Sequence, residues 1–234
     1  MSSEHPQISP ITELTDPRAI QILSTEHWSL LSARSLAYNE AFTRGGMFLS
    51  FLSMSFVALA LLSQAMTFGT QFLTVAAILM SFVLVIGLTT YGRINGANVD
   101  DLRAMHGMAR IRHAYTEVAP IVAPYFTTPT HDDIPSVIVG YGAPTDPSGL
   151  SFILYGLTTS GGMIGLIVSM VGGVLAGILG LLFGVTGEMA MWIGVGGGVL
   201  VFVILLVTTM GSVPRTQAGM EVRFPAPAPG PPAE

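Results

Sequence analysis

Histidine and carboxylate side chains gather in the middle of the sequence, where together they could hold a metal ion. These residues are His106, His113, Glu117, His131, Asp132 and Asp133. His113 and Glu117 are one helical turn apart and could share an ion, whereas His106 and His113 are two turns apart, about 10 Å along a helix axis, and could not. A His–Glu pair at this spacing is usually solvated, and adjacent acids usually favour a helix N-terminus. The sequence therefore predicts no metal site and no cofactor.

A short motif downstream, Ile138-Val-Gly-Tyr-Gly142, resembles the TVGYG filter of potassium channels, whose carbonyl oxygens replace the water shell of the ion. Three features argue against a filter. An isoleucine stands where the filter has threonine, Pro135 interrupts the preceding apolar run, and the nearby arginines place the segment on the wrong side of a membrane. We interpret the motif as a short apolar segment that ends in a Tyr-Gly turn.

Motifs typical of enzymes are missing from the sequence. It has no P-loop, no dinucleotide-binding fingerprint, no HExxH and no GxSxG. Its zero cysteines exclude thiol catalysis and Cys-based metal sites. Proton relays and charge-coupled transporters depend on ionisable groups inside the membrane, and the apolar runs described next contain none. We therefore predict that the protein is not an enzyme.

The composition indicates a membrane protein, because 50% of the residues are hydrophobic, 10% are charged and the mean hydropathy is +0.64. A soluble domain has about 25% charged residues. Four apolar runs, residues 46–65, 72–91, 161–185 and 190–210, have the length of about 20 residues that crosses a hydrocarbon core of about 30 Å. The predicted fold is all-α: a polytopic membrane protein with four transmembrane helices in two hairpins, plus N-terminal and central cytoplasmic helices.

Five regions follow from these spans. They are a cytoplasmic N-terminal region with an amphipathic helix (1–44), a first transmembrane hairpin (45–91), a cytoplasmic middle segment (92–160), a Gly-rich second hairpin (161–210) and a disordered Pro-rich tail (211–234). The N-terminal helix either lies on the membrane surface and turns into the first span, or extends that span as a polar helix. In the middle segment, apolar residues at spacings of three or four predict a helix that ends before Pro120, with His106, Arg110 and His113 on its polar side.

All nine basic residues are arginines, and their positions predict the orientation of the chain. Three arginines precede the first span, four follow the second and two follow the fourth, whereas neither hairpin connection contains one. The positive-inside rule then places both termini and the middle segment in the cytoplasm. The net charge of −5, without a basic run, argues against nucleic acid as a partner.

Small residues form two rows of i, i+4 spacing on the third span. The first row is Gly161, Gly165, Ser169, Gly173 and Gly177, the second is Gly172, Ala176, Gly180 and Gly184, and Gly194 and Gly198 repeat the spacing on the fourth span. Each interior glycine costs about 1 kcal/mol relative to alanine in a helix. In lipid, small residues compensate because they allow helix backbones to approach closely. We predict that one row packs against the fourth span and the other against a second copy or a partner subunit.

Two stretches carry a resemblance to known proteins. The run TEHWSLLSARSLAYNEAF (25–42), together with MARIRHAYTEVAPIVAPYF (108–126) and the nearby pair Asp132-Asp133, resembles an uncharacterised family of actinobacterial four-helix integral membrane proteins. The resemblance covers most of residues 24–210. It implies a multi-pass protein of a bacterial inner membrane and supplies no functional residues.

Two classes of function fit these observations. The first is a non-catalytic structural or accessory component of a homo- or hetero-oligomeric membrane assembly, with the lipid bilayer and either a second copy or another membrane protein as partners. The second is a homo-oligomeric channel whose pore is lined by Ser50, Ser53, Thr89 and Gly173. Serines on a span usually bond back to their own helix, and we therefore favour the first class.

Overall fold

Long α-helices make up most of the protein. The structure, a computed structural model, describes residues 11–140 and 150–227. Its helices are α1 (Pro17–Ala65), α2 (Thr70–Val118), a 3₁₀ helix (Pro120–Tyr125), α3 (Ile134–Val139), α4 (Leu150–Thr158), α5 (Ser160–Leu182) and α6 (Gly187–Ala218). Four of them, α1, α2, α5 and α6, are long and apolar enough to cross a membrane. The prediction of an all-α protein with four candidate spans is confirmed.

The first hairpin consists of α1 and α2, which residues 66–69 connect, and the second consists of α5 and α6, which residues 183–186 connect. α1 and α2 contain 49 residues each. At a rise of 1.5 Å per residue each is about 73 Å long, more than twice a hydrocarbon core of about 30 Å. α1 continues through Gly45 and Gly46 without a break. The sequence allowed two arrangements of the N-terminal helix, and in the structure this helix extends the first span.

Local sequence signals explain where α2 and α5 begin or end. α2 ends at Val118, two residues before Pro120, as the sequence predicted, because proline cannot donate the next helical hydrogen bond. Thr159 caps α5 by accepting a hydrogen bond from the Gly162 N–H at 3.2 Å. Beyond the other end of α5, Gly184 has a φ of +81°, a conformation that favours glycine.

Gly184 completes a Schellman motif, the common ending of an α-helix. The backbone N–H of Val185 donates to the Gly180 carbonyl at 3.1 Å, and that of Gly184 donates to the Leu181 carbonyl at 3.0 Å. No other described atom lies within 4 Å of the position that a Gly184 Cβ would take. Gly184 therefore ends α5, and within the described chain it does not pack against a neighbouring helix.

The chain divides into two compact units. Of the described residues, the first unit holds 11–35, 102–140 and 221–227, and the second holds 36–101 and 150–220. In the first unit, Met105, Met108 and Val137 form a small buried core, against which Leu30 and Leu102 pack. Helices α1, α2 and α3 each contribute to this core.

The core of the second unit draws on all four candidate spans. Phe48 of α1, Met80 of α2 and Val168 of α5 are fully buried there, and Leu205 of α6 joins them. Gly87 of α2 leaves room for this contact, because a Cβ at that position would lie 2.9 Å from the Phe48 ring and 2.8 Å from Val168. The missing side chain at residue 87 thus allows α1, α2 and α5 to meet.

Polar contacts join the helices of the second unit close to the ends of their apolar stretches. The Glu40 carboxylate on α1 forms an ion pair with Arg93 on α2 at 2.7 Å. The Tyr91 hydroxyl on α2 lies 2.6 Å from the Thr209 hydroxyl and donates to the Leu205 carbonyl on α6 at 3.2 Å. An exposed ion pair such as Glu40–Arg93 contributes little free energy.

Candidate functional site

The first candidate site lies in the first unit, where a buried carboxylate holds the C-terminal segment of the chain. Asp132 has no exposed surface. Its carboxylate accepts hydrogen bonds from the backbone N–H groups of Arg223 at 3.0 Å and Phe224 at 2.7 Å, and from the Arg110 guanidinium at 2.8 Å. The Asp132 N–H in turn donates to the Phe224 carbonyl at 3.1 Å. Asp132 is therefore the anchor of residues 221–227, which we call the tail segment.

Asp133 extends this contact along the tail segment. One oxygen of its carboxylate caps α3 by accepting from the Ser136 N–H at 2.9 Å, and the other accepts from the Ala226 N–H at 2.7 Å. The two adjacent carboxylates therefore bind the N–H groups of residues 223, 224 and 226. The residue they pass over is Pro225, which has no N–H to donate.

Side chains of α2 complete the binding of the tail segment. His106 Nε2 lies 3.2 Å from the Glu221 carbonyl oxygen, and Arg110 Nη2 donates to the same oxygen. The His113 ring stacks on the Phe224 ring with a centroid distance of 4.2 Å and an interplanar angle of 23°. We call His106, Arg110, Asp132 and Asp133 the tail clamp.

The hydrogen bonds of the tail clamp favour the ionised form of its two carboxyl groups. Burial on its own raises the pKa of the Asp132 carboxyl, but the Arg223 N–H, the Arg110 guanidinium and the Phe224 N–H together lower that pKa below its ordinary value. Burial also opposes ionisation of Asp133, whose pKa is lowered by the N–H groups of Ser136 and Ala226. Both carboxyls are thus held in the ionised form that accepts hydrogen bonds from the tail segment.

The tail segment has a fixed place in the structure, whereas the sequence predicted a disordered tail from residue 211 onward. Helix α6 itself continues to Ala218, and the bonds described above hold residues 221–226. Residues 228–234 lie outside the described part of the chain. Local patterns could not reveal the contact, because Asp132 and Phe224 are 92 positions apart in the sequence.

The residues considered for a metal ion do not come together in one site. His113 Nε2 lies 3.5 Å from a Glu117 carboxylate oxygen, and the His113 and His131 rings are 5.9 Å apart. Asp132 and Asp133 instead bind the tail segment. Within residues 11–140 and 150–227, no group of three His, Cys, Asp or Glu side chains is arranged to hold a metal ion.

The filter-like motif is helical where it is described. Ile138 and Val139 form the last turn of α3, and Gly140 follows with φ −61° and ψ −19°. Tyr141 and Gly142 lie outside the described residues. The short apolar segment of the interpretation is therefore the end of a helix, and the Tyr-Gly turn stays a prediction. Pro135 stands at the start of α3, where proline favours a helix.

The second candidate site is the contact between α5 and α6, which we call the glycine seam. A Cβ on Gly173 would lie 2.6 Å from the Gly194 carbonyl oxygen and 3.1 Å from the Gly198 Cα. A Cβ on Gly177 would lie 3.2 Å from the Ala190 carbonyl oxygen. The two helix backbones are thus in direct contact, as happens only where side chains are missing.

The two predicted rows of small residues do not serve separate neighbours. The start of the first row faces α2, since Cβ atoms on Gly161 and Gly165 would lie 3.3 Å from Asn95 and 2.8 Å from Tyr91. Its later members, Gly173 and Gly177, face α6. The second row faces α6 as well, because Gly172 lies against Val201, Gly180 against Ile193, and Ala176 against Gly197. When two helix backbones approach this closely, each helix contacts a broad face of the other. Residues of both rows therefore contact α6.

An apolar groove of about 630 Å³ runs along the outside of the glycine seam. Its lining combines small seam residues with exposed apolar side chains of both helices, among them Gly173, Gly177, Met170, Gly194, Val195 and Val199. The groove contains no ionisable side chain. Its surface therefore suits a hydrocarbon ligand or another apolar helix.

Hydroxyl groups proposed to line a pore bond within their own helices. The Ser50 hydroxyl donates to the Gly46 carbonyl at 2.9 Å, and the Thr89 hydroxyl donates to the Ile86 carbonyl at 2.9 Å. Gly173 lies in the seam. These three residues do not form a polar path within the described chain.

The four long apolar helices define the class of the chain as a multi-pass helical membrane protein. Comparisons with protein-family models, with curated proteins and with solved structures found no match. The four-span expectation that came with the actinobacterial resemblance is met by the structure, and no family is identified.

Proposed function

We propose that the protein is a non-catalytic structural component of a membrane assembly, in which copies associate side by side through α5 and α6. The observation that carries this proposal is the apolar groove along the glycine seam. Small residues on both walls allow a third helix to approach the two backbones, and such approach is a main source of helix association in lipid. The groove therefore favours a helix as its occupant.

Of the four candidate spans, α6 is the one with the smallest buried share. In the most apolar stretch of each span, 44% of α5 is buried by the rest of the chain, against 11% of α6. Most of the α6 surface is thus exposed. The partner that fits best is α6 of a second copy, because its exposed valines are apolar like the groove.

A test of this assembly compares two exposed valines of α6. Val195 lines the groove, and Val207 is similarly exposed but does not line it. We expect Val195→Trp to fill the groove and reduce the oligomer to monomers, whereas Val207→Trp leaves the oligomer intact. Native mass spectrometry in a mild detergent measures both. A monomeric wild-type protein whose groove carries only bound lipid would contradict the proposal.

The orientation belongs to the same proposal. Both termini and the middle segment lie in the cytoplasm of a bacterial cell and the spans lie in its inner membrane, since none of the nine arginines falls in residues 66–69 or 183–186. A reporter that is active only in the cytoplasm should work when it is fused after Glu234 and should be silent when it is inserted in residues 66–69. Activity from the insertion would reject this orientation.

A further inference from the structure

We propose that the tail clamp is a docking site for the tail segment of a second copy as well as for that of its own chain, so that exchanged tails link neighbouring copies. This inference rests on the proposed assembly, because it requires copies to lie side by side. It adds to that assembly a second contact, made outside the spans by residues of the first unit.

The tail segment is recognised chiefly through its main chain, and this is the first argument. Three N–H groups and two carbonyls of residues 221–226 take part, namely those that contact the side chains of the clamp and the backbone of Asp132. Among the described side chains of the segment, Phe224 contacts α2, where its ring stacks on His113. Recognition of an extended segment by its backbone is a common mode of peptide binding. The same bonds form whether the segment belongs to the same chain or to another.

The connection of the tail segment supplies the second argument. Helix α6 ends at Ala218, and only Gly219 and Met220 separate it from Glu221. Glycine gives this link more backbone conformations than any other residue. A change in the dihedral angles of Gly219 therefore redirects the tail without unfolding α6. Exchange of an identical segment between copies is a low-cost route to an oligomer.

The composition of the tail supplies the third argument. Pro225 and Pro227 restrict the backbone to extended conformations before it binds, which reduces the entropy lost on docking. In an assembly within a membrane, the tails of adjacent copies are held close to one another, which raises their effective concentration. A tail from the adjacent copy therefore competes with the chain's own tail for each clamp.

Thiol cross-linking tests this exchange directly, because the native chain has no cysteine. The N–H groups of Ser136 and Ala226 donate to the two oxygens of one Asp133 carboxylate at 2.9 and 2.7 Å, so these residues are neighbours in the docked state. Full-length Ser136→Cys and Ala226→Cys chains with different tags are co-expressed and treated in membranes with a short bifunctional thiol reagent. We expect a product that carries both tags and that needs both thiols.

Two further variants connect the product to the clamp. Asp132→Ala in the Ser136→Cys chain and, separately, Phe224→Pro in the Ala226→Cys chain should each abolish the mixed product. The second change leaves every clamp residue in place and removes one tail N–H and the ring. A chain with both cysteines reports docking within one copy. If that chain cross-links internally while the mixed sample gives no product, the exchange is overturned.

The oligomeric state of the mixed sample separates the two proposals. An intact oligomer without a mixed product refutes only the exchange of tails, whereas a monomer refutes the side-by-side assembly and the exchange together. A mixed product that persists with Phe224→Pro would show that the two thiols meet by another route, and it would overturn docking through the clamp.

Discussion

Gly173→Leu is expected to separate α5 from α6 and to prevent a stable second hairpin. Even the first atom of a side chain at this position would lie 2.6 Å from the Gly194 carbonyl oxygen, and that obstacle is backbone that cannot rotate away. Overpacking against side chains costs about 1–3 kcal/mol, so a clash with backbone should exceed that range. We expect a fall in melting temperature of about 10 °C or more in a mild detergent.

Gly196→Leu is the matched control for this change. It introduces the same side chain into the same hairpin, but no described atom lies within 4 Å of a Cβ at residue 196. Because leucine also favours a helix more than glycine does, by about 0.8 kcal/mol, the control should retain or raise the melting temperature. Equal melting temperatures for the two leucine variants would contradict the close contact of α5 and α6.

Asp132→Ala is expected to release the tail segment from the first unit. The change removes the acceptor of two tail N–H groups and leaves the Arg110 guanidinium without its carboxylate. Breaking a buried ion pair costs about 3–5 kcal/mol, and because Arg110 is partly exposed we expect about 3 kcal/mol. Local opening of the tail should then become about 100-fold more frequent.

Trypsin measures this opening, because Arg223 lies within the docked tail segment. The released C-terminal peptide is quantified by mass spectrometry over time under native conditions. Glu221→Ala serves as the control, since the Glu221 side chain is exposed and its ion pair with Arg223 lies at the surface. Cleavage of Asp132→Ala at the wild-type rate would show that the clamp does not hold the tail.

The spans were predictable because length and hydrophobicity determine them locally. A run of about 20 apolar residues must be helical in lipid, where every backbone polar group needs a partner within the segment. The end of α2 before Pro120 followed in the same way from a single residue. Continuity through Gly45 and Gly46 was left open by the sequence, because two glycines are compatible both with a turn and with an uninterrupted helix.

The tail clamp could not be predicted, because its parts come from distant stretches of the sequence. Arg110, Asp132 and Phe224 show their relation only after α2 and the tail segment are placed side by side. Repeated prolines in the tail indicated disorder, and this pattern takes no account of an acceptor elsewhere in the chain. The glycine rows gave a similar result: their spacing identified small surfaces but could not show that the first row divides between α2 and α6.

The uninterrupted length of α1 has a mechanical consequence. Within the second unit, residues 36–44 continue the helix for about 13 Å beyond its apolar stretch. Tilt of a span changes with the thickness of the bilayer. A change in tilt of about 10° displaces the end of this extension by about 2 Å, so the Glu40–Arg93 ion pair that it carries must follow small adjustments of the span within the lipid.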